Sequence, residues 1–163
     1  MGSEMCIRDS YRLPTESEWK LLAQRSQISK DNLLEHAWLD ENADWVTHPL
    51  GEKKPDALGL VDLFGNASEW VTGPKGEHLT YGGCYETLAQ DAFPAKAVPE
   101  DMENWNASDP QDPQSIWWLA DGGFVGLRLV LETDAEGKPA TAPAKGIEHE
   151  PKPEEAPEDA KPD

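Results

Sequence analysis

The chain has 163 residues and a formal net charge of −18, and a chain of this length is typical of one domain rather than two. So acidic a protein repels phosphate groups, which argues against nucleic-acid partners and anionic membrane surfaces. The sequence contains no apolar run of about 18 residues, the length that a membrane-spanning helix requires. We therefore expect neither a nucleic-acid partner nor a membrane span.

The two ends of the chain differ in composition from its middle. Residues 1–10 show no periodicity, and we set them aside as a non-native or disordered leader. Residues 132–163 repeat Pro, Glu, Ala and Lys, and Ile147 is their only large aliphatic residue. Such a segment cannot bury enough apolar surface to offset the entropy lost on ordering, so we predict a disordered acidic tail. The folded domain is expected within residues 11–131.

The first predicted element is a helix from about Glu16 to Arg25. Thr15 and Glu18 stand at the spacing of a capping box, in which each side chain accepts a hydrogen bond from the other residue's backbone N–H. The apolar positions at i, i+3 and i+4 are Trp19, Leu22 and Ala23. They form one stripe that is expected to face the core.

Beyond this helix the sequence predicts only short elements. A helical turn is expected from Asp31 to His36, with Asp31 as its cap and with Leu33 and Leu34 packed inward. Frequent Gly, Pro, Asn and Asp then leave no room for long helices or strands. With seven tryptophans in the chain, large aromatic side chains are expected to fill much of the interior.

Two short strands are expected, at Leu79–Tyr85 and at Phe124–Leu131. The second alternates Val125, Leu127 and Leu129 against Gly126, Arg128 and Val130. A guanidinium in such an apolar strand needs a partner, so we predict that Arg128 pairs with a carboxylate or with backbone carbonyls and has a structural role.

Three stretches follow one another in an order that is hard to obtain by chance. The first reads YRLPTESEW at Tyr11–Trp19, and the second, at His36–Trp70, contains HPLG and KPDALGLVDLFGNASEW. The third combines YGGCY at Tyr81–Tyr85 with FVGLR at Phe124–Arg128. Together they resemble the formylglycine-generating-enzyme family, also called sulfatase-modifying factors. The resemblance implies an α+β fold of the C-type-lectin-like kind with little regular secondary structure. The family's opening motifs have no counterpart, which predicts a truncated domain.

The resemblance also implies where an oxidase site would lie. Catalytic members hold copper and the substrate thiol with two cysteines beyond a GGS motif, because thiolates suit Cu(I). Those positions fall at about Thr87 and Ala92 here, the GGS serine is Cys84, and a family tryptophan is Ser68. One thiol cannot form a two-cysteine site, so we expect no catalytic residue and no copper, and a buried, inert Cys84.

A related branch of the family makes sulfoxides with an iron held by histidines, largely from a separate helical domain. The histidines of this chain lack the HxxxH and HxxH spacings, so an assembled histidine metal site is not expected. His48, before Pro49, is instead predicted to be a structural loop residue.

A calcium site is implied by the resemblance in the loop from Asp62 to Glu69. Its ligands would be the Asp62 side chain, the backbone carbonyls of Gly65 and Ala67, and the Glu69 carboxylate, which are the hard oxygen donors that calcium prefers. The alternative is that Asp62 only caps a turn and that Glu69 faces solvent.

The tryptophans of a DPQDPQSIWW stretch form a candidate binding element. Adjacent residues of an extended chain point to opposite sides, so one of Trp117 and Trp118 can pack inward while the other lines a surface groove. Packing of both in the core is the alternative.

The sequence as a whole predicts a non-catalytic, calcium-stabilised binding or scaffold module with a protein or peptide partner. By resemblance, an extracytoplasmic location is expected. The rival hypothesis is an enzyme, either an oxidase that converts a sulfatase cysteine to formylglycine or another oxidoreductase of the family. A carbohydrate-binding module, by analogy with the lectin-like fold alone, is a third possibility.

Overall fold

A computed structural model describes residues 11–113 and 119–133. Its helices are α1 (Glu16–Arg25), α2 (Leu33–His36) and α3 (Ala89–Ala92). Its strands are β1 (Tyr11–Arg12), β2 (Ser68–Thr72), β3 (His78–Tyr81), β4 (Val98–Pro99), β5 (Val125–Gly126) and β6 (Val130–Leu131). The expected α+β class with little regular secondary structure is confirmed. Every helix in the described ranges is too short to cross a membrane.

The strands form two sheets. The larger has the order β4-β3-β2-β5, in which β2 and β3 are antiparallel and β2 and β5 are parallel. Glu69 in β2 lies opposite Tyr81 in β3 and Gly126 in β5. The smaller sheet pairs β1 with β6 and places Tyr11 opposite Leu131. After β5 the chain therefore leaves the larger sheet and forms β6, which pairs with β1 in the smaller sheet.

Helix α1 begins and ends where the sequence predicts, and its capping box is present. The Thr15 hydroxyl oxygen accepts a hydrogen bond from the Glu18 backbone N–H at 3.3 Å, and Glu18 Oε2 accepts one from the Thr15 N–H at 2.8 Å. Arg12 adds an ion pair from Nη2 to Glu18 Oε1 at 2.7 Å. These contacts fix the start of the helix against β1.

The core lies between α1 and the larger sheet, and Trp19 is at its centre. The Trp19 ring meets Phe64 edge-on at 5.5 Å between ring centroids and Tyr81 at 4.9 Å. The other buried members of this cluster are Ile28, Leu33, Ala37, Leu39, Leu63, Val71, Leu79 and Ala92. The predicted stripe on α1 is confirmed, because Leu22 and Ala23 pack against the cluster.

The prediction for α2 is wrong in two respects. The helix begins at Leu33 with Asn32 at the N-cap position, and no side chain caps it. The Asn32 carboxamide instead accepts the backbone N–H of Ser29 at 2.6 Å. Leu33 is fully buried, but Leu34 is exposed, because one turn of helix presents only one side to the core.

Both predicted strands are shorter than expected. The first ends at Tyr81, because Gly82 and Gly83 adopt φ of 90° and 72°, outside the range of a strand. The second is divided into β5 and β6. Between them Leu127 and Leu129 are 62% and 51% exposed. The alternating set Gly126, Arg128 and Val130 is the less exposed one. Arg128 turns inward to the partners described below.

Three predictions fall at least partly outside the described residues. They are the leader at residues 1–10, most of the tail, and the binding role of Trp117 and Trp118. Glu132, at the start of the predicted tail, is described, and its Oε1 lies 2.8 Å from Arg12 Nε.

Candidate binding cavity and candidate metal loop

A cavity of about 370 Å³ lies beside Cys84. Strand β2 supplies Ser68 at its start, the turn after Gly82 and Gly83 supplies Cys84, and α3 supplies Ala92 at its end. The positions that the resemblance assigns to an oxidase site all line this cavity: Ser68, Cys84, Thr87 and Ala92. The fold thus brings together the positions that would carry oxidase chemistry, with different residues in them.

Cys84 is a free, buried cysteine held by Thr87. The Thr87 hydroxyl oxygen accepts the Cys84 backbone N–H at 2.9 Å and lies 3.5 Å from the Cys84 sulfur. The Thr87 N–H in turn donates to the Cys84 carbonyl at 2.9 Å. A hydroxyl therefore lies next to the thiol, and the predicted burial of Cys84 is confirmed.

Aromatic side chains form one wall of the cavity. The Trp105 ring meets Phe124 edge-on at 5.3 Å between centroids and Trp70 at 5.7 Å. Trp105 and Phe124 line the cavity directly, and the exposed Asp91 and Lys96 lie at its rim. Such a concave, mostly apolar surface with charged groups at the edge is typical of a site that holds an apolar group.

Sequence reasoning missed this aromatic wall. The sequence identifies Phe124 only as the start of the FVGLR motif and of a predicted strand, and no motif near Trp105 distinguishes it. The abundance of tryptophan was the only available signal, and it does not say which tryptophan lines a cavity.

A second cleft, of about 290 Å³, lies at the predicted calcium loop. Three of the four predicted ligand residues line it: Asp62, Ala67 and Glu69. The fourth, Gly65, is packed against the Trp38 backbone, with which it forms an isolated β-bridge. Leu50 and Leu127, both exposed, complete the apolar side of this cleft.

Asp62 has one carboxylate oxygen in use and one without a partner. Its side chain is buried, with 5% of the residue exposed, and Oδ2 accepts the Gly51 N–H at 2.8 Å. Oδ1 is buried and accepts no hydrogen bond. A buried carboxylate oxygen normally has a donor or a cation beside it. This atom therefore fits the requirement for a calcium ligand.

Glu69 is 6% exposed, so it does not face solvent. Arg128 Nε lies 3.0 Å from Oε1 and 3.1 Å from Oε2, and Arg128 Nη2 lies 2.6 Å from Oε1. Trp19 Nε1 donates to Oε2 at 3.0 Å. Burial raises the pKa of Glu69, the hydrogen bonds from Arg128 and Trp19 oppose this rise, and the Asp62 charge adds to it. Both oxygens are engaged, so in this arrangement Glu69 does not fit a direct role as a metal ligand.

The predicted pairing of Arg128 is confirmed, because its guanidinium contacts both a carboxylate and a backbone carbonyl. Besides Glu69, its Nη2 donates to the Val61 carbonyl at 3.0 Å.

His48 likewise has structural contacts: its ring stacks on Trp38 at 3.7 Å between centroids, and Nε2 lies 2.9 Å from the Ala43 carbonyl. In the described part of the chain, no three His, Cys, Asp or Glu side chains are grouped to hold a metal.

Comparisons with known proteins identify the family. The sequence-family model of the sulfatase-modifying factor enzyme 1-like domain matches residues 2–115. The chaperone protein LppX of Paenibacillus barcinonensis is 27% identical over 139 residues, which are 71% of this chain and 38% of that protein. The chain thus spans less than half of this curated relative.

Two solved structures are also similar. Treponema denticola variable protein 1 matches with a TM-score of 0.49 and 25% identity, and the match covers 56% of this chain and 43% of that protein. CarF matches with a TM-score of 0.48 and 25% identity, and the match covers 76% of this chain and 48% of CarF. On the family match over residues 2–115, the chain belongs to the family of sulfatase-modifying factor enzyme 1-like domains.

Proposed function

We propose that this chain is a non-catalytic module that binds an apolar side chain of a protein or peptide partner in the cavity beside Cys84. One observation supports this proposal most directly. The chain has a cavity at the positions that the resemblance assigns to the oxidase site, and the two cysteines of the oxidase are replaced there. The positions that the resemblance assigns to the two thiols fall at about Thr87 and Ala92, and both of these residues line the cavity. The cavity therefore offers a binding surface, and we expect no copper chemistry in it.

The cavity suits an apolar side chain in size and lining. Its volume of about 370 Å³ lies near the lower end of the range of about 300–1,000 Å³ that ligand pockets occupy. Trp105 and Phe124 offer ring surfaces, which contribute strongly to binding when desolvated. The name of the Paenibacillus relative, a chaperone protein, also favours binding of polypeptide over catalysis.

The oxidase remains the second candidate, because the cavity lies where the resemblance places oxidase chemistry. It is tested by incubating the chain with Cu(I), oxygen and a peptide that contains the cysteine substrate motif of the family. We expect no tight copper binding and no aldehyde. Detection of formylglycine by mass spectrometry above the uncatalysed background would replace the binding proposal with the enzymatic one.

Binding is tested with N-acetyl-tryptophanamide and N-acetyl-phenylalaninamide as probes of an apolar side chain, observed by NMR. Ala97 is exposed at the cavity, so Ala97→Trp should fill the opening and abolish the shifts. Ala57 is equally exposed but lies outside the cavity, so Ala57→Trp should leave them unchanged. Equal probe shifts in the two variants would reject the cavity as the site.

Calcium is a further part of the proposal, with Asp62 Oδ1 as its protein side-chain ligand. The unpartnered buried oxygen supports this, since a cation removes the cost of burying it. The unfolded chain does not form the site, so calcium at a hundredfold excess over its Kd stabilises the native state by about 2.7 kcal/mol. A site with one available carboxylate oxygen suits the millimolar calcium outside cells, and we propose an extracytoplasmic location.

The calcium proposal is tested by melting the full chain in millimolar calcium and in chelator. Calcium should raise the Tm of the wild type and should not raise that of Asp62→Asn. Glu77→Gln, which changes a carboxylate outside the loop, should respond like the wild type. A wild-type Tm that is the same in calcium and in chelator would reject the site.

A further inference from the structure

We infer that Arg128 acts as a tethered cation for the loop from Asp62 to Glu69, so that Glu69 needs no metal as long as the guanidinium is present. Removal of the guanidinium should therefore create a calcium requirement at Glu69. This inference concerns the Glu69 end of the loop and does not depend on calcium binding by Asp62.

Arg128 contacts two kinds of oxygen, carboxylate and carbonyl. The guanidinium donates to both Glu69 oxygens over 2.6 to 3.1 Å and to the Val61 carbonyl at 3.0 Å. A carboxylate and a backbone carbonyl, here the one that precedes the loop, are also the kinds of oxygen that calcium binds. Arg128 thus performs the same neutralisation of the loop from within the chain.

Hydrogen-bond donors already occupy both oxygens of Glu69. An ionised carboxylate offers about four lone-pair sites. The single Arg128 Nε–H is shared between Oε1 and Oε2, Arg128 Nη2 donates to Oε1, and Trp19 Nε1 donates to Oε2. A metal ion can reach this carboxylate only if Arg128 moves away, and the two cations would repel each other across a short distance.

The ion pair between Arg128 and Glu69 is largely buried, and the backbone holds its two residues close together. The Glu69 side chain is 8% exposed and that of Arg128 23%, so solvent screens the pair far less than it screens a surface ion pair. Arg128 lies between β5 and β6, and β5 already pairs with β2 at Glu69. The backbone therefore holds the guanidinium near its carboxylate, whereas a free ion loses its translational freedom on binding.

The experiment compares Arg128→Met with the wild type in thermal melts of the full chain, in chelator and in millimolar calcium. Methionine keeps an apolar stem but no charge. In chelator, Arg128→Met should melt well below the wild type. The rise in Tm that calcium causes should be at least about twice as large in Arg128→Met as in the wild type. A buried carboxylate without a partner is destabilising, so a bound cation stabilises that variant most. Arg128→Lys, which keeps the charge, should show the wild-type calcium response.

The double variant Arg128→Met with Glu69→Gln is the control, since it removes the carboxylate that would attract calcium. Its calcium response should fall back to that of the wild type. The inference is overturned if Arg128→Met and the wild type respond equally, or if the double variant keeps the larger response. If Arg128→Met does not fold in chelator, calcium should restore its circular dichroism spectrum, and failure to restore it also overturns the inference.

The outcome separates this inference from the calcium proposal for Asp62. A response in Arg128→Met without one in the wild type supports the tethered cation and rejects calcium at Asp62. Equal responses in both proteins, abolished by Asp62→Asn, support calcium at Asp62 and reject the tethered cation.

Discussion

The hydroxyl oxygen of Thr87 accepts the backbone N–H of Cys84 at 2.9 Å and lies 3.5 Å from the Cys84 sulfur. The resemblance places a metal-binding thiol at this hydroxyl. Its role here is to close a four-residue turn, because the Thr87 N–H returns a hydrogen bond to the Cys84 carbonyl. Thr87 thus stabilises the wall of the cavity.

Thr87→Val should destabilise the protein, since it keeps the side-chain shape and leaves the Cys84 N–H without an acceptor. The loss of an acceptor for a buried donor costs about 1–3 kcal/mol. Thermal or urea unfolding measures the change, and Thr87→Ser, which keeps the hydroxyl, should lose much less. A valine variant as stable as the serine variant would show that this hydrogen bond does not support the turn.

The ion pair at the start of α1 predicts a pH dependence of stability. The hydrogen bond from Arg12 is the largest cause that lowers the pKa of Glu18 from its ordinary value of 4.5 to about 2. Because the folded-state pKa is the lower one, the ionised carboxylate stabilises the fold above about pH 4.5. That contribution is lost as the pH falls from 4.5 towards 2.

Glu18→Gln should therefore be less stable than the wild type at pH 7 and approach it near pH 2. The two side chains are 36% and 38% exposed, so solvent screens the pair and the difference at pH 7 should be about 0.5–1 kcal/mol. Melts across this pH range measure it. A difference that does not change with pH would mean that Arg12 does not stabilise the ionised form.

The β1–β6 sheet and the composition of the tail predict the effect of shortening the chain. Truncation after Thr133 keeps β6 and the pair between Arg12 and Glu132, and it removes a segment too polar to add a core. The Tm should stay close to that of the full chain, because Ile147 is the only large aliphatic residue that the removed segment could bury. Truncation after Leu129 removes β6 and should lower it by several degrees. Equal Tm values for the two truncations would contradict the role of the β1–β6 sheet.

Local signals in the sequence were sufficient to predict α1. Its cap, its apolar stripe and its C-terminal end all lie within a dozen residues, and interactions at that range depend little on the rest of the fold. The same reasoning fails at α2, because a helix of one turn has too few residues for a period to be read and the Asn32 side chain has a competing partner in Ser29.

The candidate sites depended on long-range contacts, which limited what the sequence could predict. The need of Arg128 for a carboxylate was predictable from its apolar neighbours, but the choice of Glu69, 59 residues away, was not. That choice turns Arg128 inward and leaves Leu127 and Leu129 exposed. The positions around Cys84 came from the resemblance, whereas Trp105 joins them only through tertiary packing.

Gly65 is the position at which a single added methyl group should most disturb the loop from Asp62 to Glu69. Its φ is +70°, and a Cβ there would lie 2.2 Å from the Trp38 carbonyl oxygen. That oxygen cannot move freely, because it accepts the Asn66 N–H at 2.7 Å. Gly76 also has a positive φ, +84°, but no atom lies within 4 Å of its added Cβ.

The pair Gly65→Ala and Gly76→Ala therefore separates backbone strain from steric overlap. Gly76→Ala should lose about 1–2 kcal/mol, the cost of a left-handed conformation for an L-residue. Gly65→Ala bears that cost and the overlap with Trp38, so its loss should exceed about 4 kcal/mol, a magnitude that point mutations reach only through such mechanisms. Urea unfolding of both variants measures the difference. Similar losses in the two would show that the strand-like contact between Gly65 and Trp38 is looser than its geometry indicates, and that the loop can shift to admit a side chain.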